Sequence, residues 1–203
     1  MTTPQEDFWA GEFGDEYIQR NQSADLLAAN LSFFGDVLRR TGPIDSALEL
    51  GANVGMNVRA LTQLAPRLAI TAIEINATAA LELQKLECEV VVGSILDFHP
   101  AGLHDLVFTK GVLIHLAPSA LPAVYDTMAQ ASGRFVMMAE YYNPSPVAIA
   151  YRGHDERLFK RDFAGEFLDQ RPEFRLVDYG FLYHRGAFAQ DDMTWFLMER
   201  RPG

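Results

Sequence analysis

The chain has 203 residues, 49% hydrophobic and 22% charged, which suffices for one core without disulfide or metal staples. Its formal charge is −10, from 17 Lys and Arg against 27 Asp and Glu, and no basic patch offsets it; a phosphate backbone would be repelled, which excludes a nucleic-acid partner. No apolar stretch reaches bilayer length, no basic-then-apolar leader opens the chain and Cys88 is the single cysteine, so a cytoplasmic protein without a membrane partner is expected.

Residues 1–24 have no role that a sheet-and-helix core demands, and they carry aromatic and polar groups such as Phe13, Tyr17, Arg20 and Asn21. They read as a lid segment. Residues 25–40 place Leu26, Leu27, Leu31, Phe34, Val37 and Leu38 at helical spacing, and Gly42-Pro43 ends the helix. Strand and helix patterns then alternate: strand 46–50, helix 53–64, strand 69–74, helix 78–86, strands 89–92 and 105–109, helix 118–131, strand 134–140. That order implies right-handed crossovers and a parallel, doubly wound sheet.

After residue 140 the pattern changes. A loop over 141–153 and a helix over 156–170 are expected, forming the 141–172 region above the site. The basic residues Arg157, Lys160 and Arg161, interrupted by acids, read as a solvated face of that helix. Strands at 175–183 and 194–200, joined by a short polar connection, predict an antiparallel hairpin at one sheet edge. The whole chain reads as one α/β domain with a mostly parallel seven-stranded sheet.

The sharpest motif runs Glu49-Leu50-Gly51-Ala52-Asn53-Val54-Gly55, directly after a strand and opening a helix. Gly51 and Gly55 permit a tight turn beside the free N–H groups of a helix N-terminus. The second strand ends in Glu74, followed by Ile75, where an acid accepts both ribose hydroxyl protons of a nucleoside. A dinucleotide site favours a third glycine where Asn53 stands, and Glu49 would repel a pyrophosphate but suit an ammonium group. S-Adenosylmethionine (SAM) is therefore favoured over NAD, with no metal expected.

This arrangement resembles the class I SAM-dependent methyltransferases, whose first motif is an acid followed by a Gly-x-x-x-Gly turn and whose second supplies the ribose acid. The resemblance implies that Ser94 and Ile95, after the third strand, meet the adenine, and that Lys110 to Leu116, with His115, line the pocket beneath the sulfonium. Arg20 would pair with the SAM carboxylate, and Tyr17 with neighbouring aromatic residues would close the lid.

The chain also resembles a narrower group, the pseudaminic-acid-biosynthesis-associated methylases, through Phe13-Gly14-Asp15-Glu16-Tyr17, Glu140-Tyr141-Tyr142-Asn143-Pro144, Tyr151-Arg152-Gly153-His154 and Asp191-Asp192-Met193-Thr194-Trp195-Phe196. It is similar, too, to azetidine-2-carboxylate synthases, which turn SAM on itself. That likeness implies cyclisation to azetidine-2-carboxylic acid with release of 5′-methylthioadenosine, and it ranks first on the sequence. Asn143 and Tyr179 would then orient the attacking amine, and Tyr141 and Tyr142 would cage the sulfonium. The alternative is methyl transfer to a small hydroxylated or amino metabolite such as a sugar acid, with His115, Glu140 or His154 as base. Either way the partner is a small molecule, with other proteins of a biosynthetic pathway as further partners. Asn143-Pro144-Ser145-Pro146 invites comparison with enzymes that methylate DNA bases, but here it follows the fifth strand instead of the fourth, and the chain is acidic.

Overall fold

Strand β1 (Ser46–Leu50) is buried almost throughout because helices cover both faces of the sheet, and its side chains alternate between two cores. Leu48 and Leu50 enter one and Ala47 the other. The computed structural model of the protein describes residues 2–18 and 22–202, the side chains of 154–156 excepted.

The chain begins with two short helices, α1 (Pro4–Ala10) and α2 (Glu12–Ile18), and then α3 (Ala24–Thr41). From β1 it continues through α4 (Met56–Leu64), β2 (Ala69–Glu74), α5 (Ala77–Leu83), β3 (Glu89–Val92) and β4 (His104–Lys110). Two 3-10 turns, Leu113–His115 and Pro118–Ala120, lead into α6 (Leu121–Ala131) and β5 (Ser132–Glu140). Then come β6 (Val147–Tyr151), β7 (His154–Lys160), α7 (Phe163–Gln170), β8 (Phe174–Leu182) and β9 (Met193–Arg200). Among the described residues the main sheet has seven strands in the order β3-β2-β1-β4-β5-β9-β8, with β1 to β5 parallel and β9 antiparallel to both neighbours.

Ser23 caps α3 by accepting the Leu26 N–H at 3.1 Å, and Phe33, Phe34 and Val37 bury its inner face on one side of the sheet. Full burial of each such side chain contributes about 1.5–3 kcal/mol. On the opposite side α6 and α7 insert Val124, Tyr125, Met128, Phe163 and Phe167.

The expected loop and long helix after β5 are corrected by the structure. Residues 147–160 form a separate antiparallel hairpin, and the helix begins only at Phe163, capped by Asp162. The alternating Val147-Ala148-Ile149-Ala150-Tyr151 favours a strand, and the tip residues Arg152 and Gly153 both take positive φ (50° and 84°), as a two-residue hairpin turn of primed type requires. Arg157 and Lys160 therefore belong to a strand, with Arg157 over the Phe8 ring and Lys160 over Tyr141. Arg161 follows it and pairs with Glu166 at 2.7 Å.

Helices α1 and α2 settle on the carboxyl end of the sheet. Thr3 and Glu6 form a capping box that starts α1. Asn76 then fastens the segment: its Nδ2 donates to the Trp9 carbonyl (3.2 Å) and to Asp15 (3.0 Å), while its Oδ1 caps α5 through the Ala79 N–H (2.8 Å). Gly14 sits so close that an added Cβ would overlap the Trp9 carbonyl oxygen and lie 2.7 Å from Asn76 Nδ2. Gly14→Ala is therefore expected to unseat residues 4–18 while the sheet stays folded. Limited proteolysis would show early cleavage before residue 24, with a melting transition lowered by only a few degrees.

Candidate active site

A cavity of about 690 Å³ lies beyond the carboxyl ends of β1, β2 and β4, roofed by α1 and the β6–β7 hairpin and walled by α3 and the β8–β9 connection. Its floor is the turn after β1. Gly51 and Ala52 donate their N–H groups to the Ile73 carbonyl (2.9 Å each), and Gly51, Asn53 and Gly55 all take positive φ. The glycines answer to protein neighbours as well as to the turn. A Cβ on Gly51 would meet Val112 at 2.7 Å, and one on Gly55 would meet Leu83 at 2.6 Å.

Glu74 closes β2 and faces the cavity, 6% exposed. Its Oε2 accepts the Asn53 N–H at 2.6 Å and its Oε1 the Asn76 N–H at 2.7 Å. Burial raises its pKa, and those backbone donors counter the rise. Each oxygen keeps a lone pair for a further donor, which suits a vicinal diol.

Glu49 lies beneath the floor instead of on it. Its Oε1 accepts from Asn57 Nδ2 at 2.6 Å, its Oε2 is buried with no hydrogen-bond partner, and burial pushes its pKa up to about 7. Asn57 and Lys110, both of which interact with it, line the cavity, and Glu49 does not. Burial lowers Lys110 to about 8, against the opposing pull of Glu49, Asp191 and Glu140.

His115 lines the roof and is nearly sealed from solvent. Its Nδ1–H donates to the Arg157 carbonyl at 2.7 Å, so Nε2 carries the lone pair, and burial lowers the pKa to about 4. Its ring is flanked by Trp9 at 4.6 Å and Tyr151 at 5.0 Å between centroids. Trp9 meets Tyr17 edge-on at 5.2 Å. With Tyr141, whose hydroxyl donates to Asp191 at 2.7 Å, these rings give the cavity four aromatic walls. Ser94 and Ile95 also line it, but the Ser94 hydroxyl bonds Glu6 and accepts the Leu96 N–H, so α1 reaches the place expected for an adenine contact.

The structure thus gathers Tyr17, Gly51, Asn53, Glu74 and Ile75 with Ser94, Ile95, Lys110, His115 and Tyr141 around one cavity. Other expected site residues stand elsewhere. Gly55 is packed under the turn. Tyr142, 41% exposed, and Tyr179, 64% exposed, flank Phe196 on the outside of the sheet. Tyr179 is mid-strand in β8, the edge strand, so the sixth strand does not bring it to the cavity mouth. Asn143 turns back on its own loop, donating from Nδ2 to the Ser145 carbonyl. Glu140 is also internal: its carboxylate accepts the N–H groups of Val112, Leu113 and Ile114, so it caps the 3-10 turn and is no candidate base. Arg20 and the His154 side chain lie outside the described residues.

The sequence reading missed Gln5, Trp9, Asn30, Tyr151, Gln190 and Asp191 as lining residues. Tyr151 and Asp191 fall in strings that already stood out, and Trp9 in the 1–24 lid segment. Asn30 sits within an amphipathic helix, and Gln190 in a connection, with no local signal to mark them. Among the described residues no three His, Cys, Asp or Glu side chains gather to hold a metal ion, and no helix is long and apolar enough to cross a membrane.

Several solved structures share this architecture. They include the glycopeptide N-methyltransferase MtfA complexed with SAM (TM-score 0.67, 15% identity, covering 85% of this chain and 94% of that one). Magnesium protoporphyrin IX methyltransferase ChlM from Synechocystis PCC 6803 with bound SAM matches at TM-score 0.68 and 13% identity over 98% of both chains. A SAM-dependent methyltransferase from Leishmania major matches at 0.72 and 14% identity, over 97% of this chain and 87% of that one. No protein-family profile and no curated sequence matches the chain. The fold is that of the class I SAM-dependent methyltransferases.

Burial raises the pKa of Glu49 and of Glu140, each to about 7, so each holds its proton more tightly folded than unfolded. Between about pH 4.5 and 7 folding therefore takes up protons, and these groups make stability fall as pH rises. His115, lowered to about 4, acts in the opposite sense up to about pH 6.5. With two carboxyls against one imidazole, denaturant unfolding is expected to show lower stability at pH 7.5 than at pH 5. Glu49→Gln should reduce that difference by on the order of 3 kcal/mol.

Proposed function

We propose that this protein is a SAM-dependent methyltransferase acting on a small-molecule acceptor. The observation that carries the reading is Glu74, a buried acid with spare acceptor capacity at the carboxyl end of β2, beside the Gly51 to Gly55 turn and facing an enclosed aromatic cavity. The donor set suits an adenosyl sulfonium: Glu74 for the ribose diol, Ile95 for an apolar ring face, and Trp9, Tyr17, Tyr141 and Tyr151 as rings whose faces attract a cation. When bound, SAM supplies an electrophilic methyl carbon on a positively charged sulfur.

The chain's own residues supply position, dryness and a proton acceptor. Helix α1 and the hairpin, meeting at His115, keep water from the roof. His115 is neutral at pH 7, with its Nε2 lone pair available to take a proton from an acceptor. MtfA, which shares the fold, is an N-methyltransferase by name, which supports an amino group as the acceptor's reactive atom.

Cyclisation of SAM to azetidine-2-carboxylate is the second reading, favoured by the aromatic enclosure. It needs an amine-holding group other than Asn143 and Tyr179, since neither lines the cavity. Incubation with SAM alone and with pooled small amines and hydroxy acids separates the two. S-Adenosylhomocysteine (SAH) formed only with an acceptor is expected; methylthioadenosine from SAM alone would replace methyl transfer by cyclisation. Glu74→Gln, which exchanges one acceptor for a donor, is expected to weaken SAH binding in calorimetry by roughly 10- to 100-fold.

A further inference from the structure

Two primary-amide side chains on one side of the cavity present oxygen atoms that no protein group satisfies. Asn30, on α3, is 1% exposed, and Gln190, in the β8–β9 connection, is 8% exposed; both line the cavity, and Asn30 Oδ1 and Gln190 Oε1 are buried with no hydrogen-bond partner. They are neighbours, because Gln190 Nε2 donates at 3.0 Å to the carbonyl of Ala29, the residue before Asn30. That bond holds the Gln190 amide against the helix and commits its nitrogen to the protein.

A buried carbonyl without a donor is costly, and two beside one another in a cavity are a strong departure from the rule that such groups are paired. A single ligand atom that satisfies both must bring two hydrogens. A hydroxyl brings one; an amine brings two, and an ammonium three. Asp191, the next residue, also lines the cavity and is exposed, which adds a negative group on the same side and a route to solvent. Resting on the SAM-dependent reading above, we propose that Asn30 and Gln190 form an amine subsite that holds the nucleophile of the reaction by two N–H groups.

Neutral carbonyls suit this task better than carboxylates. They fix two N–H bonds without setting a full negative charge against the nitrogen, and the Asp191 carboxylate on that side is exposed and engaged by the Tyr141 hydroxyl. The lone pair is then the remaining free direction on nitrogen. It forms the new N–C bond as the C–S bond breaks, the bonding pair stays on sulfur as a neutral thioether, and the surplus proton on nitrogen passes to His115, the proton acceptor named above, and on to water. The same balance holds whether the amine belongs to a separate acceptor, which leaves SAH, or is the α-amine of SAM itself, which leaves methylthioadenosine.

The test is calorimetric titration of SAH, which carries the amine but no reactive methyl, into the wild-type protein, Asn30→Leu, Gln190→Met and the conservative Asn30→Asp. If the subsite holds the α-amine of the nucleoside, SAH affinity is expected to fall roughly 10- to 100-fold in the first two variants and to recover in Asn30→Asp. If it holds a separate acceptor, SAH affinity is unchanged, while glycine or methylammonium binds the SAH-saturated wild-type protein and neither Asn30→Leu nor Gln190→Met. Equal SAH affinity in all four proteins, with neither amine probe binding any of them, overturns the amine subsite and leaves the functional reading intact. Failure of the wild-type protein to bind SAH overturns both. Circular dichroism of each variant guards against loss of fold, and Gln190→Met, in a connection, keeps the test open should Asn30→Leu disturb α3.

Discussion

The carboxylate of Glu74 is the tie on which the site depends. One oxygen receives the N–H of Asn53 from the turn after β1, the other that of Asn76 at the start of α5. Asn76 in turn caps α5 and grips the carbonyl of Trp9 and the carboxylate of Asp15. A single buried acid thereby joins the glycine turn, the second strand, the following helix and the lid helices. Its own ionised form is disfavoured by burial, and those backbone donors partly offset that cost.

Around that tie the protein sorts its charged groups by depth. Glu140 is spent internally on the backbone N–H groups of the turn after β4, which fixes where Val112 to His115 run. Glu49 sits below the floor, bonded to Asn57 and balanced by the nearby Lys110. His115 is held neutral by burial and by its bond to the hairpin backbone. The cavity is lined by the Glu74 carboxylate, aromatic rings, His115, the amides of Asn30 and Gln190, and the opposed charges of Lys110 and Asp191. Its aromatic rings and carboxylates suit a cation or an amine.

Much of the fold was legible because its signals are periodic. The strands at 46–50, 69–74 and 89–92 match the observed bounds, since continuous apolar runs flanked by turn residues have few other solutions in a doubly wound sheet. The hairpin at 147–160 was misread because Arg152-Gly153 is a weaker turn signal than Asn-Gly, and because Leu158, Phe159 and Phe163 also fit a helical spacing. Tyr142, Asn143 and Tyr179 were expected in the site from chain position, side-chain chemistry and the family resemblance. Tyr142 lies in the loop after β5 and turns toward Phe196, Asn143 bonds its own loop, and β8 lies at the sheet edge, which carries Tyr179 away.

By itself the amino-acid sequence determined the layered architecture, the glycine turn after the first strand and the acid ending the second. These depend on local spacing and on the left-handed backbone that Gly51 and Gly55 supply. Only tertiary structure decided which side chains close the cavity, because α1, α3, the hairpin and the β8–β9 connection meet there from distant parts of the chain. Gln190 is tied beside Asn30, 160 positions away, by its bond to the Ala29 carbonyl, which no local pattern encodes.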